Sequence, residues 1–401
     1  MCPMADSRAL RISRIKLRHY RSVGTCDLRL SNMSFFVGPN GSGKSNVVDS
    51  LKFVSQALRE NLDNALRQRG GVTEVRRRSN GHPRHFSIEL KGNFELYEFT
   101  YRFSVGSAAG KAYRITEEFC EIKGGDPLDT SRVTFHVKDN KFSENTVGVS
   151  PHVHEDRLAL PILSGASDLL RELFESLSSI EVYSPAPEAM KSPQTPDLGE
   201  RLLRDGSNIA SVIHYISTHT PERLEEIQEL LSKIVPGIKS VERIAAGSWE
   251  TLEFKQEVSG AENAWRFPAT SVSDGTLRAL GVLTAIFAPP VNGIFSPVVI
   301  EEPETALHPA AAGVLLEALS EASKTRQVLV TSHSPDLLDS PEIRTEQVFA
   351  VRSIAGNTRV NILDQVGQEA LRHGLFTVGA LLRVDQLQPE EGEIIGQGEL
   401  L

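Results

Sequence analysis

GPNGSGKS, residues 38–45, decides the fold of this chain. Gly38, Pro39, Asn40, Gly41, Ser42, Gly43, Lys44 and Ser45 form a complete phosphate-binding pattern, and both flanks suit it. Before it, SFFV at 34–37 reads as a short buried strand. After it, from Asn46, the residues Val47, Val48, Leu51, Val54 and Leu58 recur at helical spacing. A chance glycine turn would lack one flank or the other. Glycines let successive backbone N–H groups converge on phosphate oxygens, and the helix start adds a favourable field for an anion. Lys44 is placed to bridge the outer phosphates of a nucleoside triphosphate, and Ser45 to offer its hydroxyl to Mg²⁺.

Bulk properties narrow the partners. At 401 residues the chain has room for a large head with an inserted subdomain. A net charge of −9 argues against a uniformly basic surface, so nucleic acid must be met by a local patch. Cys2, Cys26 and Cys120 show neither disulfide nor metal spacing, which suits free thiols and a cytoplasmic location. Residues 279–300 form the most apolar stretch, but Pro289, Pro290, Asn292 and Gly293 break it into helix, turn and strand. No membrane span is expected.

Periodicity suggests three regions. Residues 1–167 are expected to hold the phosphate loop and an antiparallel β lobe, because FSIEL, FELYEFTYRF and RVTFHV alternate with period two between turn signals. Residues 168–237 change to helical spacing around a proline-rich loop, and are expected to form an inserted helical lid. Residues 238–401 return to α/β, with strand-like runs at 298–300, 328–331, 348–351 and 360–363 that predict a parallel sheet. The acidic end, 389–401, reads as a frayed tail.

A second chemical element lies in this last region. VVIEEPETALHP at 298–309 is an apolar strand ending in Glu301 and Glu302, the arrangement needed beside phosphate-bound magnesium. Glu301 is assigned to Mg²⁺ through water, and Glu302 to the catalytic base that orients attacking water. One helix later VLVTSHS ends in His333, a candidate donor to the γ-phosphate or to that water. SVSDGTLRAL at 271–280 places Ser273, Asp274 and Gly275 at a helix start, which is either an ordinary N-cap or a second anion site.

GPNGSGKSN, SDGTLR, VVIEEPETALHP and TSHS follow one another in the order found in ABC-type ATPase heads. Together with the opening RISRIKLRHYRSV they resemble the RecF, SMC and OLD group more than transporter subunits. The resemblance is concentrated in residues 8–60 and 268–340, and is weaker through LGERLLRDGSNIASVIHYI and HGLFTVGALLRVDQL. It implies a P-loop ATPase fold that hydrolyses ATP with Mg²⁺ and sandwiches ATP in a homodimer. Ser273, Asp274, Gly275 and Arg278 of one subunit would close on the γ-phosphate held by the other. Gln68 is the candidate for the family's Q-loop glutamine. No sustained heptads announce a long SMC arm, and the stretch after His333 is short for a TOPRIM nuclease domain. The chain is therefore expected to act through a separate effector, such as a nuclease or toxin in antiphage defence, or in DNA repair.

Arg67, Arg69, Arg76, Arg77, Arg78 and Arg84, with His82 and His85, make the densest basic cluster and are candidate contacts to a DNA backbone. Two other functions fit parts of the pattern. A transporter motor would show an LSGGQ-like signature and a membrane partner, and an ATP-dependent scaffold would bind nucleotide with little turnover.

Overall fold

The computed structural model describes residues 8–77, 83–108, 111–125, 131–290 and 293–391. In chain order the strands are β1 (Arg8–Tyr20), β2 (Val23–Arg29), β3 (Met33–Val37), β4 (His85–Phe94), β5 (Tyr97–Ala108), β6 (Lys111–Gly124), β7 (Arg132–Lys138), β8 (Lys141–Asn145) and β9 (Glu181–Tyr183). The second half adds β10 (Ile238–Ala246), β11 (Trp249–Gln256), β12 (Trp265–Pro268), β13 (Ile294–Phe295), β14 (Val298–Glu301), β15 (Val328–Ser332), β16 (Val348–Ile354) and β17 (Asn357–Ile362). One mixed sheet runs β8-β7-β6-β5-β4-β1-β2-β17-β16-β3-β15-β14-β9, with β13 beside β1. Strands β10 to β12 form a small antiparallel sheet. This is the mixed α/β head that the motif order implies.

The centre of the sheet explains the phosphate loop's position. All five residues of β3 are buried, as expected of a parallel strand covered on both faces. Side chains alternate across it: Phe36 enters the core that includes the helix Lys44–Arg59. Phe35 and Val37 enter the opposite core, built from the helices Ile209–His219, Pro221–Ile234, Asp274–Phe287 and Ala312–Ala322. Parallel neighbours β15 and β16 flank β3, and β14 lies parallel to β15. The C-terminal ends of these strands therefore meet along one edge, where an open α/β sheet places its ligands.

Residues 168–237 carry helices, as their spacing predicts, and also contribute a strand to the main sheet. Strand β9 joins the main sheet parallel to β14, pairing Val182 with Val299, and the helix Asp168–Ser178 sends Leu170, Leu173 and Leu177 into the same core as the phosphate-loop helix. Helical spacing there marked a face turned inward to the head. The expected parallel sheet is interrupted at β17, which lies parallel to β2 but returns antiparallel to β16 through Ala355 and Gly356, both at positive φ, a turn that closes a hairpin. Of the C-terminal tail, Glu390 is tied to the sheet by its N–H to the Ile362 carbonyl at 2.8 Å, and residues 392–401 lie outside the described set.

In the antiparallel lobe, β4 alternates buried and open positions, so one face packs and the other meets solvent. Among the described residues, its interior holds the carboxyl group of Glu118. Glu118 is 1% exposed and accepts hydrogen bonds from Tyr101 Oη at 3.0 Å, from Leu160 N at 3.0 Å and from Ala159 N. Burial pushes this carboxyl up to about 7 against the opposing pull of those donors.

Candidate nucleotide site

The phosphate loop is shaped by its glycines and by the end of the chain. Gly41 and Gly43 take φ of 76° and 102°, in the left-handed region that side chains avoid. A Cβ on Gly43 would stand 2.0 Å from Thr358 Oγ1, so the loop fits closely against β17. Thr358 Oγ1 donates to the Ser42 carbonyl at 3.0 Å and lies 2.7 Å from Ser22 Oγ, which accepts from Asn46 Nδ2 at 2.6 Å. These buttresses from β17 and the β1–β2 turn were not legible in the sequence, because they depend on partners distant in the chain.

Inside the cradle Lys44 is 4% exposed, and its ammonium donates to the carbonyls of Gly38 at 2.8 Å and Pro39 at 3.1 Å. Burial pushes its pKa down, and Glu302 and Glu304 oppose that shift. Ser42 Oγ is buried without a hydrogen-bond partner. A curled loop with a confined ammonium and an unsatisfied hydroxyl suits a polyanion.

Strands β14 and β15 deliver the acidic half. Glu301 pairs in register with Thr331, so the Glu302 and His333 side chains leave adjacent strand ends together. Glu302 Oε1 stands 3.2 Å from His333 Nδ1 and 3.9 Å from Lys44 Nζ. Glu302 adopts φ 46°, a conformation that a non-glycine residue holds only when its surroundings fix it. The fixing bonds are visible: its N–H donates to the Thr331 carbonyl at 2.9 Å, and Arg278 donates to the carbonyls of Glu301 and Glu302 at 2.7 and 2.8 Å. Glu304, which the sequence reading passed over, accepts from Ser332 Oγ at 2.7 Å and from His333 N at 3.2 Å. It holds the histidine turn against the carboxylate turn.

Ser45 and Glu301 line one cavity of about 290 Å³, together with Asn46, Asp49, Lys52, Gln68, Arg69 and Arg204. A hydroxyl and a carboxylate lining one cavity are the oxygen donors that Mg²⁺ accepts while keeping most of its waters, so the residues fit that ion. Gln68 reaches this cavity, where it accepts from Gln56 Nε2 at 2.8 Å.

Ser273 is an N-cap, accepting from Thr276 N at 3.2 Å, and Asp274 forms an ion pair with Lys191. Gly275 lies against the backbone of Ala306, where a Cβ would stand 2.6 Å from the carbonyl oxygen. The partners of Ser273 and Asp274 are thus Thr276 and Lys191, and not the loop at 38–45.

Members of the basic cluster differ in their surroundings among the described residues. Arg69, with its side chain 4% exposed, is turned inward and binds Asp49 at 2.8 Å; that carboxylate also takes Arg21 at 2.9 Å and a hydrogen bond from Tyr20 Oη at 2.7 Å. Arg69 is therefore structural: its guanidinium neutralises a carboxylate that is itself largely buried. Arg67 pairs with Asp63 at 2.8 Å, and Arg76 donates to Ser107 Oγ at 2.6 Å. Arg77 lies over Gly24, and Arg84 and His85 are exposed. Arg78 and His82 lie outside the described residues.

Loop, carboxylate strand end, histidine turn and serine-glycine helix start are carried by a mixed α/β fold similar to that of SMC head domains. Two family models cover consecutive parts of the chain: "AAA ATPase domain" over residues 10–148, and "AAA domain, putative AbiEii toxin, Type IV TA system" over residues 170–339. Among curated proteins, a 62-residue stretch is 42% identical to the DNA replication and repair protein RecF of Corynebacterium jeikeium (strain K411), covering 15% of each chain. A 41-residue stretch is 42% identical to RecF of Vibrio cholerae serotype O1 (strain ATCC 39541 / Classical Ogawa 395 / O395), covering 10% of this chain and 11% of that one. The chain thus spans only about a seventh or less of the length of these relatives. Among solved structures, an SMC head bound to the C-winged helix domain of ScpA superposes with a TM-score of 0.50 at 13% identity, covering 90% of this chain and 99% of that one. That likeness concerns the fold. Among the described residues, no helix is long and apolar enough to cross a membrane.

Proposed function

We propose that this head hydrolyses ATP to ADP and phosphate and closes as a homodimer when ATP is bound. The observation that carries the reading is the meeting of Lys44, Glu302 and His333, drawn from three separate segments to one sheet edge. Lys44 exchanges the Gly38 and Pro39 carbonyls for phosphate oxygens. Glu302 accepts a proton from water as its oxygen bonds to the γ-phosphorus and the bond to the β-phosphate oxygen breaks, releasing ADP and phosphate. His333 keeps the Glu302 carboxylate aligned and can donate a hydrogen bond to the transferred phosphoryl group. Ser45 and Glu301 would hold Mg²⁺, which when bound neutralises charge on the phosphates. Ser273 and Gly275 offer a hydroxyl and a backbone N–H at a helix start, for which a second protomer's triphosphate is the fitting anion.

The output is proposed to be conformational, transmitted to a separate macromolecule. The short identity to DNA replication and repair proteins favours a repair role, and the AbiEii-type model favours a defence effector. Arg76, Arg77 and Arg84 remain the candidate DNA contacts. Measuring phosphate release and particle mass with and without Mg²⁺–ATP tests the core of the proposal. Release together with a doubled mass is the expected result. A doubled mass without release would indicate a scaffold, and neither effect would overturn the reading.

A further inference from the structure

Glu301 has one partner too many. The Glu301 carboxylate, which lines the same cavity as Ser45, is already in an ion pair with Arg204, whose side chain is 49% exposed where that of Glu301 is 13% exposed. Other charges on these walls are satisfied elsewhere: Arg21 and Arg69 are both bound to Asp49. Lys52 has no ion pair or hydrogen bond among the described residues; burial and the nearby Arg204 and Arg69 push its pKa down. The cavity is therefore lined by several cations, and among the described residues Arg204 is the one in an ion pair with Glu301.

Arg204 is held there by its backbone. Its carbonyl accepts from Ser184 N at 2.9 Å, and the neighbouring Asp205 carbonyl accepts from Ala186 N at 2.8 Å. These bonds tie together the two ends of the strap at 184–208, which follows β9. The same strap carries Lys191, which pairs with Asp274 at the start of the helix Asp274–Phe287. A carboxylate cannot face a guanidinium and a divalent cation at full strength together, because each weakens the field that the other sees.

Resting on the ATPase reading above, we propose that Arg204 is a positioning residue that competes with Mg²⁺ for Glu301. It keeps Glu301 from collecting free divalent metal before nucleotide arrives, and yields when the polyanionic triphosphate offers the guanidinium another partner. The strap then communicates loading of this site to the Lys191–Asp274 pair beside the serine-glycine helix start.

The test uses the full chain carrying Glu302→Gln, with Mn²⁺ as the metal probe read by electron paramagnetic resonance. Arg204→Gln should tighten Mn²⁺ binding in the absence of nucleotide by about two- to fivefold, the range that a partly exposed ion pair can supply. Arg204→Lys should restore the weaker binding. The Mg²⁺ concentration that half-saturates ATP-dependent dimerisation should fall in Arg204→Gln by a similar factor. Unchanged or weaker Mn²⁺ binding in Arg204→Gln, with ATP still bound, would overturn the role of Arg204 and leave the ATPase reading intact. A parent chain that binds no Mg²⁺–ATP would overturn both. Melting temperatures within a degree or so of the parent identify variants whose fold is unaltered, as expected for a half-exposed side chain.

Discussion

The carboxylate of Glu302 lies 3.2 Å from His333 Nδ1, although 31 positions of sequence and a complete helix separate the two residues. In-register pairing of β14 with β15 creates this proximity. Because Glu302 also approaches Lys44 Nζ at 3.9 Å, the proposed base touches both the phosphate anchor and the histidine.

Removing the charge from Glu302 while keeping its shape should separate binding from turnover. Glu302→Gln is expected to slow phosphate release by about a hundredfold or more and to accumulate ATP-bound dimer. Single-turnover phosphate release and mass photometry would show it. Release at the parent rate would eliminate Glu302 as the base.

Ser273 has two separable roles. Ser273→Ala removes the cap bond to Thr276 N and should cost about 1 kcal/mol of stability. Ser273→Asp keeps a capping oxygen but sets a negative charge toward an approaching phosphate, so the melting temperature should hold while ATP-dependent dimerisation disappears. Dimers of Ser273→Asp with unaltered ATP dependence would exclude this helix start from the interface.

Gly43 has no space for a side chain. Gly43→Ala places a methyl group 2.0 Å from Thr358 Oγ1 at φ 102°, which should cost about 1–3 kcal/mol and displace the loop. Thermal melting and fluorescent-nucleotide titration should both worsen. Adding Thr358→Gly should recover part of the stability by removing the clash, though it leaves the backbone strain.

Glu118 makes stability depend on pH. Burial raises its folded pKa to about 7 from an ordinary 4.5, so the folded chain binds a proton that the unfolded chain releases. Its contribution is complete below about pH 4.5 and is lost as pH rises through about 7, a change of roughly 3 kcal/mol. Chemical denaturation between pH 5 and pH 8 should therefore show a declining contribution that Glu118→Gln flattens. Identical slopes in parent and variant would remove Glu118 as the source.

The chemically specialised residues were legible because each belongs to a short local pattern. GPNGSGKS, the paired glutamates after VVI, and His333 after a β-rich run could be placed from sequence alone, and the strands that carry them form at those positions. What escaped notice depends on partners distant in sequence. Arg69 reads as one of six clustered arginines until Asp49 is seen beneath it. Glu181–Tyr183 is too short to stand out as a strand amid helical spacing. Thr358 and Arg204 are unremarkable residues whose importance comes from what lies opposite them.

Strand β3 is flanked by β15 and β16, both made from residues near the other end of the chain. On a ribosome, the phosphate loop therefore emerges long before β15 and β16, and its walls do not exist until they follow. Sheets assembled from such distant pairings form slowly, and until then the apolar SFFV run has no permanent cover. A nascent-chain pause shortly after residue 300 would yield a chain unable to grip nucleotide and prone to capture by chaperones.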